Sequence, residues 1–140
     1  MSNRAAGKRF EDRCKKFLES LGFCVDKARA ATRWTPRGTF SSSNDFLGCA
    51  DLLAVHPEKP YTLFVQCTLG DIGSRQRKME AVPWCHEAQR VMVWSRQEGM
   101  ASGIRSHRLG IWTGKEGTNS FKWDEAFFRM KDGQEPGVLN

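Results

Sequence analysis

Three polar residues interrupt apolar stretches of the sequence. Glu11 falls at the edge of an apolar helical stripe, Asp51 precedes the apolar run 52–55, and Gln66 stands inside the apolar run 63–68. A buried polar group costs free energy unless a partner, a metal ion or water satisfies it. Carboxylate and amide oxygens are the donors that hard divalent cations prefer, so one such ion would satisfy all three residues.

Each of these residues also has a purely structural interpretation. Glu11 can pair with Lys15, one helical turn later. Asp51 can cap or end a turn after Gly48, and Gln66 can be a structural amide that bonds to a neighbouring strand. The residues alone leave both interpretations open.

The apolar periodicity predicts the elements that would position these residues. The predicted elements are a helix over 3–21, a strand over 23–28, a hairpin of strands 50–55 and 61–68, a helix over 72–81, a strand over 90–95, a weak edge strand over 107–113, a short helix over 123–130 and a flexible tail over 131–140. Between the first strand and the hairpin, residues 30–44 read as a loop. The order predicts a single α/β domain over residues 1–140, with a mixed central sheet flanked by helices.

Three segments of the sequence carry a resemblance to a known family. Gly7-x-x-x-Glu11, residues 48–55 and residues 63–68 resemble the core of the PD-(D/E)xK nucleases, in the branch of the Holliday junction resolvases and similar phage endonucleases. The resemblance implies a restriction-endonuclease-like core of order αβββαβ. It also implies that Glu11, Asp51 and Gln66 hold Mg²⁺ or Mn²⁺, and that the chain is an endonuclease that hydrolyses DNA phosphodiester bonds, with branched or distorted DNA as an expected substrate.

The chain departs from the family pattern at two positions. Thr68 stands where the family has a catalytic lysine, and Gln66 replaces an acidic residue. A hydroxyl can hold a water molecule but brings no positive charge to the phosphate. Asp45 is therefore a candidate fourth metal ligand, although it can also be a simple turn residue, and Arg75 or Lys78 could supply the missing charge. Thr68 itself remains in the predicted catalytic set.

Basic residues suggest a surface for the DNA backbone. The formal net charge is +6 and the isoelectric point is about 9.3, which permits long-range attraction to a polyanion. The loop over 30–44 is expected to drape over the nucleic acid, with Trp34 stacking on a base unless it packs on the core instead. The predicted contacts are Arg29, Arg33, Trp34, Arg37, Arg75, Arg77 and Lys78.

Other expectations concern location, partners and rival functions. The charged amphipathic start and the short apolar runs predict a cytoplasmic protein without a membrane span or an organic cofactor. A resolvase-like activity implies a homodimer, because two opposed strands must be cut. Because the family's catalytic lysine is absent, an alternative function is that of a degenerate nuclease fold that only binds DNA or protein. A third possibility is a partner-binding inhibitor encoded by a mobile element.

Overall fold

The computed structural model describes the backbone of residues 3–43, 45–112 and 121–140. The side chains of 3, 30–34, 39–43, 111 and 112 lie outside this description. In chain order the elements are helix α1 (Asn3–Ser20), strands β1 (Cys24–Lys27), β2 (Ala30–Thr35), β3 (Gly38–Ser43), β4 (Leu52–Val55) and β5 (Thr62–Thr68), helix α2 (Ile72–Glu80), strands β6 (Gln89–Arg96), β7 (Gly103–Trp112) and β8 (Phe121–Arg129), and a 3-10 turn at Gly137–Leu139.

Six strands form one mixed sheet in the order β1-β4-β5-β6-β7-β8. Neighbouring strands are antiparallel, except that β6 runs parallel to β5. The parallel pair needs a crossover, and α2 supplies it. The predicted α/β class with a mixed sheet is confirmed, and neither helix is long and apolar enough to cross a membrane in the described part of the chain.

Each face of the sheet carries its own apolar core. Cys14, Phe17 and Leu18 of α1 pack on one face with Leu63 and Trp94. This arrangement follows from the apolar stripe of α1, whose spacing places these residues on one side of the helix.

The opposite face carries a second core beneath α2. Met79 of α2 is fully buried there beside Val91 and Val93, and Phe64 packs against the same group. Because strand side chains alternate, Gln66 and Thr68 lie on this α2 face with Phe64, whereas Cys67 points towards α1. The predicted shared face of Gln66 and Thr68 is therefore confirmed.

The predicted loop over 30–44 is wrong, because most of it forms the separate hairpin β2–β3. Thr35 pairs with Gly38 across the two-residue turn Pro36-Arg37. Gly38 has a φ of 129°, which favours a residue without a side chain. The polar, glycine-containing composition predicts a loop, but the β-branched threonines in the same segment favour an extended backbone and allow the strand pair to form.

The predicted terminal helix over 123–130 is also wrong, because residues 123–129 belong to β8. β8 pairs with β7 from Gly103↔Arg129 to Trp112↔Phe121, with a register shift between Leu109 and Trp112. This pairing makes β7 an interior strand rather than the predicted edge. Tertiary pairing overrode a short apolar pattern that fits either a helix or a strand.

The predicted flexible tail makes specific contacts with the body of the protein. Leu139 is fully buried in the α1-side core, and the hydroxyl of Tyr61 donates a hydrogen bond to its carbonyl oxygen. Nη1 of Arg90 donates to the carbonyl oxygen of Asn140 at 2.7 Å, and the guanidinium lies 3.9 Å from the centre of the Tyr61 ring. The last turn thus covers one end of the core.

Candidate active site

Asp51 is fixed at the junction of β1, β4 and β5. Its carbonyl oxygen accepts a hydrogen bond from the Ala28 N–H at 2.7 Å, and its own N–H donates to the carbonyl oxygen of Val65 at 3.0 Å. Its carboxylate oxygen Oδ2 accepts from the Cys67 N–H at 3.0 Å. Only 7% of Asp51 is exposed, so the backbone on both sides holds a buried carboxylate in place.

Gln66 and Thr68 follow on β5, the strand next to Asp51. Gln66 is 3% exposed, and its Nε2 donates to the carbonyl oxygen of Cys67 at 3.5 Å. The Thr68 hydroxyl oxygen accepts the Gly70 N–H at 3.1 Å, just where the chain leaves β5 for α2. Both side chains are therefore buried at the end of the strand that carries the predicted site.

Glu11 is half-buried on α1 and pairs with Lys27 rather than with Lys15. Its Oε2 lies 3.6 Å from Nζ of Lys27, which also contacts the Asp12 carboxylate at 2.7 Å. Lys15 instead pairs with Glu19 at 3.3 Å, so the Glu11–Lys15 alternative is wrong. The α1 carboxylate faces the end of β1.

The electrostatics link Asp51 to two other carboxylates. The pKa of Asp51 is raised to about 7, mainly by burial and also by the negative charges of Glu11 and Asp45, whereas the Cys67 hydrogen bond and the charge of Arg75 oppose the rise. Burial also raises the pKa of Glu11, although Lys27 opposes this. The fold therefore collects negative charge around a poorly solvated position.

Lys27 is the functional candidate that sequence reasoning missed. Burial alone would lower its pKa, but the pairs with Asp12 and Glu11 raise it, so the ammonium stays charged. In β1 the inward positions are Val25 and Lys27, so Lys27 is a charged residue on the inward side of a strand. The strand is too short for the sequence pattern to show which side is inward, unlike the apolar run around Gln66.

The predicted metal ligands interact electrostatically, but they are not arranged as a complete metal site. Among residues 3–43, 45–112 and 121–140, no three His, Cys, Asp or Glu side chains are arranged to hold an ion. The predicted set nevertheless consists of oxygen donors, including the amide of Gln66, which suits Mg²⁺ in chemistry. The negative charges of Glu11 and Asp45 both act on Asp51, and a divalent cation would relieve this charge imbalance.

The predicted basic contacts are distributed over two regions. Arg75 on α2 acts on the charge of Asp51, and its Nε is buried without a hydrogen-bond partner in the described part of the protein. Arg77 and Lys78 are exposed further along α2, and Arg29 and Arg37 are exposed on either side of β2. The side chains of Arg33 and Trp34 lie outside the described residues.

Comparison with known proteins adds no assignment to this geometry. No family model, no curated protein and no solved structure gives a significant match to the chain. Any function proposed for the chain therefore depends on its own residues.

Proposed function

We propose that this chain is a divalent-metal-dependent DNA endonuclease built on a restriction-endonuclease-like core. The order of elements supports this proposal. α1 is followed by the antiparallel strands β1, β4 and β5, then by α2, and then by β6 parallel to β5. This is the αβββαβ order that the resemblance implies, with the hairpin β2–β3 inserted and the strands β7 and β8 added.

The buried carboxylate of Asp51 is the observation that carries the proposal. A buried, partly desolvated carboxylate lowers the stability of the fold, and two neighbouring carboxylates increase the cost. A protein that only needed to fill this space could use an amide or an apolar residue. The sequence instead places oxygen donors, Asp51 and Gln66, in two neighbouring strand regions, which is the donor type of a hydrolytic metal site.

The roles of the ligands follow from their positions. Glu11, Asp51, the amide oxygen of Gln66 and Asp45 would hold the ion, which would lower the pKa of a bound water and neutralise charge on the phosphate. The Cys67 N–H keeps the Asp51 carboxylate oriented. Glu11 can reach such an ion only by giving up part of its interaction with Lys27.

A relocated cation can replace the missing lysine. The positive charge of Arg75 acts on Asp51, and a guanidinium can also bind phosphate oxygens. The other cation proposed from the sequence, Lys78, is exposed on α2. Arg75 is therefore the favoured counterpart, and Arg75→Ala is expected to lower the cleavage rate by at least about a hundredfold, as the loss of a charged transition-state contact does.

The test is cleavage of labelled single-stranded, duplex, flap and four-way-junction DNA with Mg²⁺ or Mn²⁺. Wild type is compared with Asp51→Asn and with Asp26→Asn, a control that alters an exposed carboxylate on the adjacent strand β1. We expect cuts by wild type and by the control but not by Asp51→Asn. Cuts by all three proteins would remove Asp51 from the mechanism.

A binding module on a degenerate nuclease fold is the second candidate. The specific observation in its favour is Thr68, whose hydroxyl oxygen is occupied by the Gly70 N–H at the position of the family's lysine. This candidate predicts DNA binding that EDTA leaves unchanged, no cleavage by wild type, and metal-dependent cleavage only after Thr68→Lys. Metal-dependent cleavage by wild type would reject it.

A further inference from the structure

Four residues lie side by side across the α2 face of the sheet. Thr68 is in register with Ser95, Ser95 with Arg105, and Arg105 with Phe127, and we call this set the β5–β8 row. Residues in register on neighbouring strands share a face, about 4.8 Å apart. The row therefore extends about 14 Å from the end of the candidate site to the last strand of the sheet.

The row changes from buried to exposed along its length. Thr68 and Ser95 are buried, and the Ser95 hydroxyl donates to the carbonyl oxygen of Arg105 at 3.3 Å. The Arg105 side chain is 44% exposed, and Phe127 is 55% exposed. Phe127 is the one aromatic side chain among the exposed large hydrophobic residues in the described part of the protein. The exposed ring therefore stands at the open end of a polar row, where its face is accessible to a ligand.

Arg105 is held in a fixed position beside that ring. Its Nη2 lies 2.8 Å from Oε2 of Glu125, the same oxygen that contacts Nε2 of His107 at 3.1 Å. His107 and Glu125 are themselves register partners, one step along the strands from the β5–β8 row. The pair with Glu125 fixes the guanidinium through one nitrogen and reduces the entropy lost when other N–H groups bind a ligand.

We infer that Arg105 and Phe127 form a nucleotide subsite, in which an unpaired base of the DNA strand stacks on Phe127 and its phosphate binds Arg105. This inference rests on the proposed function, because a DNA strand would follow the β5–β8 row only if it is bound at the candidate active site, where the row begins at Thr68. An aromatic face accepts any base, and an arginine beside it binds the backbone. Duplex bases are stacked on each other, so the subsite favours single-stranded or splayed DNA next to the cut.

Binding of labelled oligo-deoxythymidine and of a duplex of equal length, measured in EDTA by fluorescence anisotropy, tests the subsite. Phe127→Ala is expected to weaken single-strand binding by about tenfold and to change duplex binding less, whereas Phe127→Trp retains it. Val55→Ala is the matched control, since Val55 is 48% exposed on β4 and outside the row. Equal single-strand affinities for wild type and Phe127→Ala would overturn the inference.

The salt dependence separates a phosphate contact from a structural effect. Arg105→Gln is expected to reduce the slope of log affinity against log salt by about 0.7, which is the value for one lost phosphate contact on a single strand, and Phe127→Ala to leave that slope unchanged. An unchanged slope in Arg105→Gln would remove Arg105 from the subsite.

Cleavage assays distinguish failure of the inference from failure of the proposed function. If wild type cuts DNA and all row variants bind as wild type does, the nucleotide subsite is wrong and the nuclease stands. If wild type never cuts but Phe127→Ala loses single-strand affinity, the nuclease is wrong and the base-stacking site stands.

Discussion

Replacing Asp51 by asparagine should stabilise the protein when no metal is present. The pKa of Asp51 rises from 3.8 to about 7 on folding, a difference of about 3 units. Each unit corresponds to about 1.4 kcal/mol, so the ionised carboxylate costs the fold up to about 4 kcal/mol well above pH 7. Asparagine keeps an oxygen to accept the Cys67 N–H but carries no charge.

The sign of the pH dependence follows from the raised pKa. Above about pH 7 the carboxylate is ionised in both folded and unfolded chains, and the full cost applies. As the pH falls from about 8 towards 4, the folded chain takes up the proton first and wild type gains stability relative to Asp51→Asn. The advantage of the variant is therefore largest at pH 8 and disappears near pH 4.

The assay is urea unfolding in EDTA at pH 8, 6 and 4.5, followed by tryptophan fluorescence, since Trp94 is fully buried. At pH 8 we expect Asp51→Asn to be more stable by about 1–4 kcal/mol, or about 3–12 °C in Tm for a chain of this size. Asp26→Asn is the matched control and should differ little from wild type. Mg²⁺ should then stabilise wild type but not Asp51→Asn. A less stable Asp51→Asn at pH 8, or an advantage that is independent of pH, would refute the reasoning.

Three further substitutions test other contacts. Lys27→Met should lower the free energy of unfolding in EDTA by about 1 kcal/mol, because the ion pairs of Lys27 are lost. It should also increase the apparent Mg²⁺ affinity, because Lys27 no longer competes with the ion for Glu11, and weaker Mg²⁺ binding in a calorimetric titration would contradict this. Tyr61→Phe should cost about 1–2 kcal/mol in urea unfolding, since the Leu139 carbonyl loses its buried donor, and an unchanged midpoint would show that the bond contributes nothing. Gly22→Ala should lower Tm by several degrees, because the φ of Gly22 is 96° and an added Cβ would lie 2.9 Å from Nε2 of His56. A Tm equal to that of wild type would mean that the turn accommodates the added carbon without strain.

The elements predicted best from the sequence were those with a strong local pattern. The stripe of α1 and the two apolar runs of β4 and β5 each fit one secondary structure, and the hairpin pairing followed from their proximity. The strand β8 was not predicted, because eight residues with aromatic groups at mixed spacing fit a helix as well as a strand. Its state depends on β7, a partner that no local pattern identifies.

The candidate site was predictable in part for a related reason. Asp51 and Gln66 stood out because a polar group in an apolar strand is visible in the sequence. Lys27 did not, since it lies in a short strand whose inward side becomes evident only when β1 pairs with β4. The charge coupling of Asp51 with Glu11 and Asp45 joins residues distant in sequence, and it depends on tertiary structure that the sequence pattern does not specify.

The long outer strand of the sheet has a consequence for aggregation. β8 has nine residues and is the last of the described strands, so alternate backbone N–H and C=O groups along its outer side have no strand partner within residues 3–43, 45–112 and 121–140. Its exposed charged residues are Lys122, Asp124, Glu125 and Arg129. Charges along an open edge oppose the addition of a second strand, and salt screens them. Resistance of this chain to edge-to-edge assembly therefore depends on a few ionised side chains and should decline as ionic strength rises.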